Sequence, residues 1–298
     1  MILLVGPTAV GKTDLSIRLA HLLNTEIISA DSRQFYQELS IGTAKPNIEE
    51  MDGITHHFID SHSIADYYSA GDFERDAIRV LEGDIFKRKD VAIMTGGSGL
   101  FVKAITDGLD DMPEAPLEIR ENLMKRLETE GLEVLAEELQ KLDPEYCATA
   151  DLLNSQRVVR ALEVCLSTGR PFSEFHKKNK IERSFQFIKI GIERPREELY
   201  NRINRRMDLM LTNGLVDEVK SVAAFRNHNA LQTVGYKEVF EYLDGAYDYP
   251  TMVELLKRNS RRYAKRQMTW FKNQDNFQWF NAEDFEGVFR YVQSFNNK

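Results

Sequence analysis

Short apolar runs alternate with amphipathic segments over the N-terminal third of the chain. Apolar, β-rich runs cover Ile2–Val5, Glu26–Ala30 and Val91–Met94, and a helical pattern extends from Lys12 to about Leu23. Strands that alternate with helices predict a parallel sheet with helices on both of its faces. Ligands of such sheets bind beyond the carboxyl ends of the strands, so we expect the loops after these three runs to converge.

The pattern changes after Asp110-Asp111-Met112-Pro113, where the chain becomes helical and highly charged up to about Lys180. In this stretch we predict helices at Glu118–Glu130, Leu132–Leu142 and Ser155–Ser167. Strand character returns at Phe185–Ile192, and the chain is again mostly helical from Arg196 to about Asn273.

The first apolar run leads directly into a phosphate-binding motif. Gly6-Pro7-Thr8-Ala9-Val10-Gly11-Lys12-Thr13 fits G-x-x-x-x-G-K-[ST], with a strand before it and a helix after it. The glycines let backbone N–H groups face an anion, and the helix N-terminus adds its positive end. Lys12 can neutralise phosphate charge, while the Thr13 hydroxyl can hold Mg²⁺. The motif predicts that a diphosphate or triphosphate binds here, without specifying the reaction.

These patterns together predict an α/β fold. We expect a P-loop NTPase-like core, residues 1–113 and 183–298, in which helices flank a parallel sheet, and an all-helical insertion domain, residues 114–182. A chain of 298 residues with 42% hydrophobic and 10% aromatic residues can bury a core of this size. No apolar stretch approaches the roughly 20 residues that cross a bilayer, so we expect a cytoplasmic protein without membrane contact.

One feature that nucleotide hydrolases need is missing from the sequence. They hold their metal with an Asp at the end of a second apolar strand, whereas Val91–Met94 runs into Thr95-Gly96-Gly97. The run that does end in an acidic residue is Glu26–Ala30, which places Asp31 near the phosphate loop. Asp31 is a candidate metal ligand or general base, or alternatively a helix N-cap.

A basic segment near the C-terminus indicates a nucleic-acid partner, although the net charge of -8 argues mildly against one. Lys257–Lys272 carries seven basic residues and no acidic one, and Arg258, Arg262 and Arg266 share a helical face. Contacts to phosphates with stacking by Tyr263 or Trp270 would suit RNA. The alternative is a solvated basic face with Trp270 in the core. A second basic cluster lies at Lys177–Lys180 with Arg183.

The chain resembles the bacterial tRNA dimethylallyltransferases over nearly its whole length. The motifs that carry the resemblance occur in the family's order: the phosphate loop, Asp31-Ser32-x-Gln34-x-Tyr36, Ile41-Gly42-Thr43-Ala44-Lys45-Pro46, Gly96-Gly97-Ser98-Gly99-Leu100, Asn154-x-Gln156-Arg157-x-x-Arg160-Ala161-Leu162-Glu163, Val234-Gly235-Tyr236 and Ala264-Lys265-Arg266-Gln267-x-Thr269-Trp270. Departures from the family pattern are Ser98 for a common Thr, Phe101 for a frequent Tyr and Arg33 for a frequent Met.

The resemblance implies roles for the matching positions. The phosphate loop would hold the diphosphate of dimethylallyl diphosphate, and the implied contacts are Gly6, Thr8, Ala9, Val10, Gly11, Lys12 and Thr13, with Arg160 as an additional clamp. Asp31 would be the general base, and Ser98 and Lys12 would join it as catalytic residues. The implied tRNA contacts are Asp31, Ser32, Arg33, Gln34, Ser98, Arg120, Gln156, Arg157, Val158, Val159, Arg160, Gly235, Tyr236, Lys237, Lys265, Arg266, Gln267 and Trp270.

The chemistry implied by the resemblance fits these residue types. The adenine N6 is a poor nucleophile, so C1 of the allylic substrate must be made electrophilic by neutralising the departing diphosphate with Lys12, Mg²⁺ and backbone amides. A base must take the proton of the amine, and an Asp of ordinary pKa is ionised at neutral pH. The adenine would be flipped into a pocket, which suits the partly unpaired bases of a tRNA anticodon stem-loop.

Three other functions remain open from the sequence. A P-loop small-molecule or nucleotide kinase would share the fold, but it would not need the basic segment at Lys257–Lys272. A prenyltransferase acting on free adenylate would need neither that segment nor a helical insertion. A non-catalytic RNA-binding protein would not need the intact Lys12, Thr13 and Asp31. For the tRNA-modifying enzyme we expect a monomer.

Overall fold

The computed structural model describes residues 1–177, 180–274 and 276–296. It divides into two compact units, residues 1–106 with 183–298 and residues 107–182, which we call the core unit and the helical unit. The predicted basic cluster at Lys177–Lys180 lies partly outside the described residues, because Lys178 and Asn179 are among those left out.

The core unit contains the predicted parallel sheet. Within the described residues its strands are β1 Ile2–Val5, β2 Ile27–Ser29, β3 His56–His57, β4 Ile93–Gly96, β5 Ile188–Glu193 and β6 Gln278–Asn281. They lie in the order β3-β2-β4-β1-β5-β6, and each neighbouring pair is parallel. The phosphate-loop strand β1 is therefore flanked by β4 and β5.

Helices surround this sheet and form most of the described part of the second unit. Those of the core unit are α1 Lys12–Leu23, α2 Ile48–Met51, α3 Ala70–Val80, α4 Phe86–Arg88, α5 Gly99–Thr106, α10 Arg196–Thr212, α11 Leu215–Ser221, α12 Tyr236–Leu243, α13 Tyr249–Lys272 and α14 Phe285–Asn296. A π-helical segment, Leu81–Ile85, joins α3 to α4. Those of the helical unit are α6 Leu117–Glu130, α7 Leu132–Leu142, α8 Pro144–Cys147 and α9 Ser155–Thr168.

The alternation of side chains along β1 divides the core into two layers. Ile2 and Leu4 pack on one face of the sheet with α1 and α14, while Leu3 and Val5 pack on the other with α3 and α5. Both sets are almost completely buried, which explains why the strand is apolar at every position. Helices α10 to α13 contribute a third cluster around Tyr236. No helix of the described residues is long and apolar enough to span a bilayer.

The helical unit has an apolar core of its own. The buried face of α9 packs against α6 and α7, and the two cysteines, Cys147 and Cys165, are buried in the same cluster. Burial raises the pKa of both thiols, so they are inert apolar fillers at neutral pH.

The chain re-enters the core unit at an anchored residue, Arg183. Its guanidinium donates hydrogen bonds to the carbonyl oxygens of Ala104 at 2.8 Å and Ile105 at 2.9 Å, near the end of α5. It also pairs with Glu74 at 2.6 Å, and both side chains are largely buried. The residue that follows the helical unit is therefore fixed directly beside the helix that precedes it.

A second buried charge, Glu26, closes the amino end of β2. Its carboxylate accepts two hydrogen bonds from Arg88, one of them at 2.9 Å, and one from His57 at 2.7 Å. Pairing with Arg88 lowers the pKa of Glu26. Because β3 is only two residues long, this hydrogen bond between His57 and Glu26 supplements its short backbone ladder.

We predict that Glu26→Gln lowers the free energy of unfolding by about 1–2 kcal/mol at neutral pH, because the buried pair loses its charge but keeps its shape. Urea denaturation measures this change. Because the pKa of Glu26 is lower in the folded protein than in the unfolded chain, its charged carboxylate stabilises the fold at any pH above the unfolded pKa. This stabilisation is lost as the pH falls through the folded pKa, so the difference in stability between the wild type and Glu26→Gln should shrink in acid. The exposed Glu254→Gln is the control and should change stability by less than about 0.5 kcal/mol.

Candidate active site

The phosphate loop connects β1 to α1 at the carboxyl edge of the sheet. Gly11 has a φ of 111° and Ala9 one of 63°, so the loop holds a non-glycine residue in the left-handed region. Such a conformation costs about 1 kcal/mol and is typical of functional loops. A Cβ at Gly6 would lie 2.6 Å from the carbonyl oxygen of Ile192, so only glycine fits beside β5. The predicted helix Lys12–Leu23 is confirmed at both ends.

Three arginines from the segment after β5 donate hydrogen bonds to this loop. Arg194 donates to the carbonyl oxygen of Val10 at 2.8 Å, and Arg202 donates to that of Ala9 at 2.9 Å. Arg206 donates to the Thr8 hydroxyl. The sequence interpretation missed all three. The sequence signal that could have found them is Arg194 directly after β5, followed by Arg202 and Arg206, which are four residues apart and so lie on one face of α10.

Lys12, Arg206 and Asp31 form one electrostatic group. The Lys12 ammonium donates to the carbonyl oxygens of Gly6 at 3.0 Å and Pro7 at 2.8 Å. Burial lowers the pKa of Lys12 to about 8 and that of Arg206 to about 10, while the Asp31 carboxylate opposes both shifts. Two partly desolvated cations therefore stand beside a carboxylate at the mouth of the loop, and an incoming anion would be attracted to the cations.

Asp31-Ser32 and Ser98 are brought close together by a contact between Ser32 and Ser98, which lie 66 residues apart in the chain. Asp31 follows β2, and its Oδ1 accepts a hydrogen bond from the Arg33 amide at 3.0 Å. Ser98 follows β4, and its hydroxyl oxygen accepts the Ser32 amide proton at 3.0 Å and lies 3.2 Å from the Ser32 hydroxyl. The adjacent positions of β2 and β4 in the sheet produce this contact, as the sequence pattern predicted.

Gln267 of α13 connects the phosphate loop to the loop 96–99. Its Oε1 accepts the Thr8 amide proton at 2.8 Å, and its Nε2 donates to the Gly97 carbonyl oxygen at 3.0 Å. A Cβ at Gly97 would lie 2.2 Å from that Nε2, and one at Gly99 would lie 2.4 Å from the Trp270 ring. These two glycines therefore allow α13 to approach the loop 96–99 closely.

A cavity of about 530 Å³ is lined by the loop after β2, the loop 96–99, the start of α12 with the segment before it, and α13. Its polar lining includes Ser32, Ser98, Arg33, Lys237, Tyr263 and Arg266, and Trp270 and Leu100 supply apolar surface. Burial raises the pKa of Tyr263 to about 12, so its phenol is neutral at physiological pH. A neutral phenol, an indole and several cations around one cavity suit a flat aromatic group that is attached to an anionic backbone.

The described α13 also carries the predicted basic surface. Arg258, Arg262, Lys265 and Arg266 are exposed, and a second cavity of about 550 Å³ lies along Arg262, Lys265, Arg266 and Trp270. Two of the remaining basic residues are committed to α10, since Lys257 pairs with Asp208 at 2.6 Å and Arg261 donates to Asn204 at 2.6 Å. Trp270 is half-buried, while Phe271 is completely buried.

Several residues predicted to contact tRNA have side chains that are buried or are hydrogen-bonded within the protein. Tyr236 is fully buried and donates its hydroxyl proton to Glu218 at 2.6 Å, so its side chain cannot reach RNA. The side chains of Val158 and Val159 are likewise buried in the core of the helical unit. Gln34 donates its amide protons to the carbonyl oxygens of Thr43 and Ala44 at 3.3 and 3.2 Å. Gly235 is buried, and its amide donates to Glu238 at 2.8 Å.

The other predicted contacts from the insertion lie on α6 and α9 of the helical unit. Gln156 and Arg157 are exposed in the first turn of α9, where the Asn154 side chain accepts the Arg157 amide proton at 3.3 Å. Arg120 and Arg160 both pair with the buried Glu163, at 3.2 and 3.1 Å.

The sequence predicts Thr13 as a ligand of Mg²⁺. Thr13 is exposed in the first turn of α1, beside the loop amides. The described residues contain no group of three or more His, Cys, Asp or Glu side chains that could hold a metal ion. One hydroxyl suits Mg²⁺, which keeps several water ligands and is usually held largely by substrate phosphates.

A parallel sheet with a G-x-x-x-x-G-K-T loop after its central strand defines a P-loop phosphate-binding protein. The nearby carboxylate and the basic, aromatic cavity indicate an enzyme that joins a phosphorylated substrate to an aromatic acceptor. The sequence profile of the family described as IPP transferase matches residues 34–274. The chain belongs to that family.

Individual relatives are similar over almost the whole chain. The tRNA dimethylallyltransferase of Christiangramia forsetii is 51% identical over 295 residues, 99% of this chain and 97% of its own length. The solved tRNA isopentenylpyrophosphate transferase of Bacillus halodurans has a TM-score of 0.70 and 39% identity, covering 99% of this chain and 95% of its own. A eukaryotic dimethylallyltransferase solved acting on tRNA has a TM-score of 0.76 and 26% identity, covering 99% and 77%.

The lowered pKa of Lys12 predicts that anion binding depends on pH. Lys12 is charged below about pH 8 and loses its proton above it, so affinity for a diphosphate should decrease as the pH rises through that value. We expect the ratio of wild-type to Lys12→Met affinity for inorganic diphosphate, measured by calorimetry, to fall by up to about tenfold per pH unit there. A ratio that stays constant between about pH 7 and about pH 9 would contradict this assignment. Lys87→Met, on an exposed lysine, is the control.

Proposed function

We propose that this protein transfers the dimethylallyl group from dimethylallyl diphosphate to N6 of the adenosine on the 3′ side of the anticodon in tRNA, releasing diphosphate. The observation that carries the proposal is the convergence of the phosphate loop, Asp31 and Ser98 at one edge of the sheet, beside a cavity lined by basic and aromatic side chains of α13. The names of the relatives favour this reaction over the kinase alternative.

The phosphate loop would bind the diphosphate of the allylic substrate. Its backbone amides and the N-terminus of α1 face the anion, and Lys12 and Arg206 supply two positive charges. Both cations are partly desolvated, so their attraction for the charge that develops on the leaving oxygen is stronger than in water. Lys12 would leave the loop carbonyls it now contacts and turn to the substrate.

The adenine would be flipped out of the anticodon loop into the 530 Å³ cavity. Trp270 and Tyr263 offer aromatic surface for stacking, while the Ser32 and Ser98 hydroxyls can hydrogen-bond to a base edge. In the reaction the N6 lone pair attacks C1, the bond between C1 and the diphosphate oxygen breaks, and the N6 proton passes to the Asp31 carboxylate. The Arg33 amide fixes that carboxylate at the cavity edge.

Mg²⁺ is proposed as the cofactor, with the Thr13 hydroxyl as the protein ligand beside the phosphate loop. When bound, the ion would neutralise charge on the departing diphosphate. We also keep a cytoplasmic location and a monomeric state as predictions.

The exposed cations of α13 would contact the RNA backbone. Arg258, Arg262, Lys265 and Arg266 are exposed along the helix that lines the cavity, so they can bind phosphates while the flipped base enters it. Because these contacts are electrostatic, the affinity for tRNA should decrease steeply with salt.

The reaction is tested by mixing the purified protein, Mg²⁺, radiolabelled dimethylallyl diphosphate and unmodified tRNA. We expect label on the adenosine beside the anticodon, located by nuclease digestion and mass spectrometry, and loss of the label in Lys12→Ala. Absence of transfer together with phosphoryl transfer from ATP to a small acceptor would replace the proposal with the kinase alternative.

Asp31→Asn should separate binding from turnover. The amide keeps the shape of the side chain but cannot accept the N6 proton, so kcat should fall by about 10²- to 10⁴-fold. The Kd for tRNA, measured by filter binding, should change little, because the overall charge of the RNA-binding surface is nearly the same. Asp52→Asn, on an exposed residue paired with His21, is the control and should keep full activity. Undiminished turnover in Asp31→Asn would remove Asp31 as the base.

A further inference from the structure

Glu163 is an ionisable residue in the apolar interior of the helical unit. Its side chain is 2% exposed, and its neighbours along α9, Leu162 and Val164, are completely buried in the same core. A carboxylate in such a place loses its hydration, a cost that ion pairing only balances. An apolar residue of similar size would serve the packing equally well, so the charge calls for an explanation beyond stability.

Each oxygen of this carboxylate lies next to one arginine, and within the described residues only Oε2 accepts a hydrogen bond. Oε1 lies 3.2 Å from Arg120 Nη1 of α6, and Oε2 lies 3.1 Å from Arg160 Nη1 of α9. Arg160 also reaches the Pro113 carbonyl oxygen at 3.5 Å, at the start of the same unit. Two guanidiniums from different helices thus lie on either side of a single buried group, with Arg160 hydrogen-bonded to it and Arg120 ion-paired with it.

Both arginines remain partly accessible to solvent. Their side chains are 28% and 39% exposed, against 2% for the carboxylate that lies between them. The cluster therefore presents positive charge outward and keeps its negative charge inside, with one net positive charge. Gln156 and Arg157, which are exposed in the first turn of α9, extend the polar surface. Paired guanidiniums held in a fixed orientation recognise the oxygens of a phosphate group well.

We infer that Glu163 is a positioning residue that holds Arg120 and Arg160 as a two-arginine clamp for an RNA backbone phosphate. The inference rests on the proposed function in taking tRNA as the ligand. Of the two roles expected for Arg160 from the sequence, it keeps the contact with RNA and drops the contact with the allylic diphosphate. Glu163 does not touch the RNA itself. It lowers the entropic cost of binding by keeping both guanidiniums in place before the phosphate arrives.

Glu163→Gln tests the inference because a positioning role and a simple charge effect predict opposite changes in the affinity for RNA. The substitution removes a negative charge next to two cations, so a site that depended only on net charge would bind RNA more tightly. A clamp that needs the carboxylate to orient its arginines would instead bind about 3- to 10-fold more weakly. The Kd for a fluorescent anticodon stem-loop, measured by anisotropy at several salt concentrations, distinguishes these results. Tighter or unchanged binding overturns the inference.

A double-mutant comparison separates positioning from general damage to the fold. In an Arg120→Ala/Arg160→Ala background, Glu163→Gln should cause no further loss of affinity, because the groups it positions are absent. An equal loss in both backgrounds would mean a structural role and would overturn the inference. Each single arginine replacement should reduce the slope of log Kd against log salt by about 1. Glu174→Gln, which breaks the exposed pair with Arg170 in the same unit, is the matched control.

Conservative arginine variants keep the inference testable if Glu163→Gln does not fold. Arg120→Lys/Arg160→Lys retains both charges but loses the planar two-pronged geometry, so the affinity for the stem-loop should still fall. Unchanged affinity would overturn the clamp. With tRNA as varied substrate, KM should rise at nearly constant kcat. Weakened binding by these variants, in a protein that transfers no dimethylallyl group, would support the clamp and refute the proposed reaction. Normal transfer of the dimethylallyl group, together with unaltered binding by the variants, would support the proposed reaction and refute the clamp.

Discussion

The site depends on one buried amide side chain, that of Gln267. The phosphate loop and the loop 96–99 follow neighbouring strands, but only this residue is seen to bond to both of them within the described chain. It satisfies a backbone donor of one loop and a backbone acceptor of the other, and each would be costly to leave unpaired in a buried position. The glycine at position 97 is needed because the amide occupies the space of a side chain. The relative positions of the anion-binding loop and of Ser98 are thus determined by a helix that lies far from both in sequence.

The surface around the phosphate loop and along α13 is positively charged, although the net charge of the protein is negative. The chain carries a net charge of -8, yet arginines surround the outside of the phosphate loop and exposed cations line α13. The acidic excess lies elsewhere, and at moderate ionic strength its field decays within about 10 Å. A polyanion approaching the cavity would therefore meet a positive surface. The negative net charge therefore does not exclude a polyanionic ligand, because binding depends on where the charges lie on the surface.

The sequence predicted the elements whose patterns are local. The parallel sheet, the helix after the phosphate loop and the helices at 118–130, 132–142 and 155–167 follow from apolar periodicity and capping, and all are present in the structure to within one residue at the ends of the helices. The strand expected at Phe185–Ile192 begins at Ile188 instead, because Phe185 and Phe187 pack into the core from an irregular segment. The short β3 and the edge strand β6 were missed, since two residues or a half-exposed strand leave no clear alternation. Arg194, Arg202 and Arg206 were missed because their function depends on which strand lies beside β1, and that order is a tertiary property.

The anchoring of Arg183 has a consequence for how this architecture can evolve. Since the chain leaves the core unit after α5 and is fixed again beside Ala104 and Ile105, the ends of the intervening segment coincide in space. Insertions between adjacent ends leave the strand register unchanged, and the entropy of closing a loop grows only slowly with its length. The segment can therefore be enlarged, shortened or exchanged with little disturbance to the sheet. The helical unit can thus change in evolution while the loops at the carboxyl edge of the sheet stay the same.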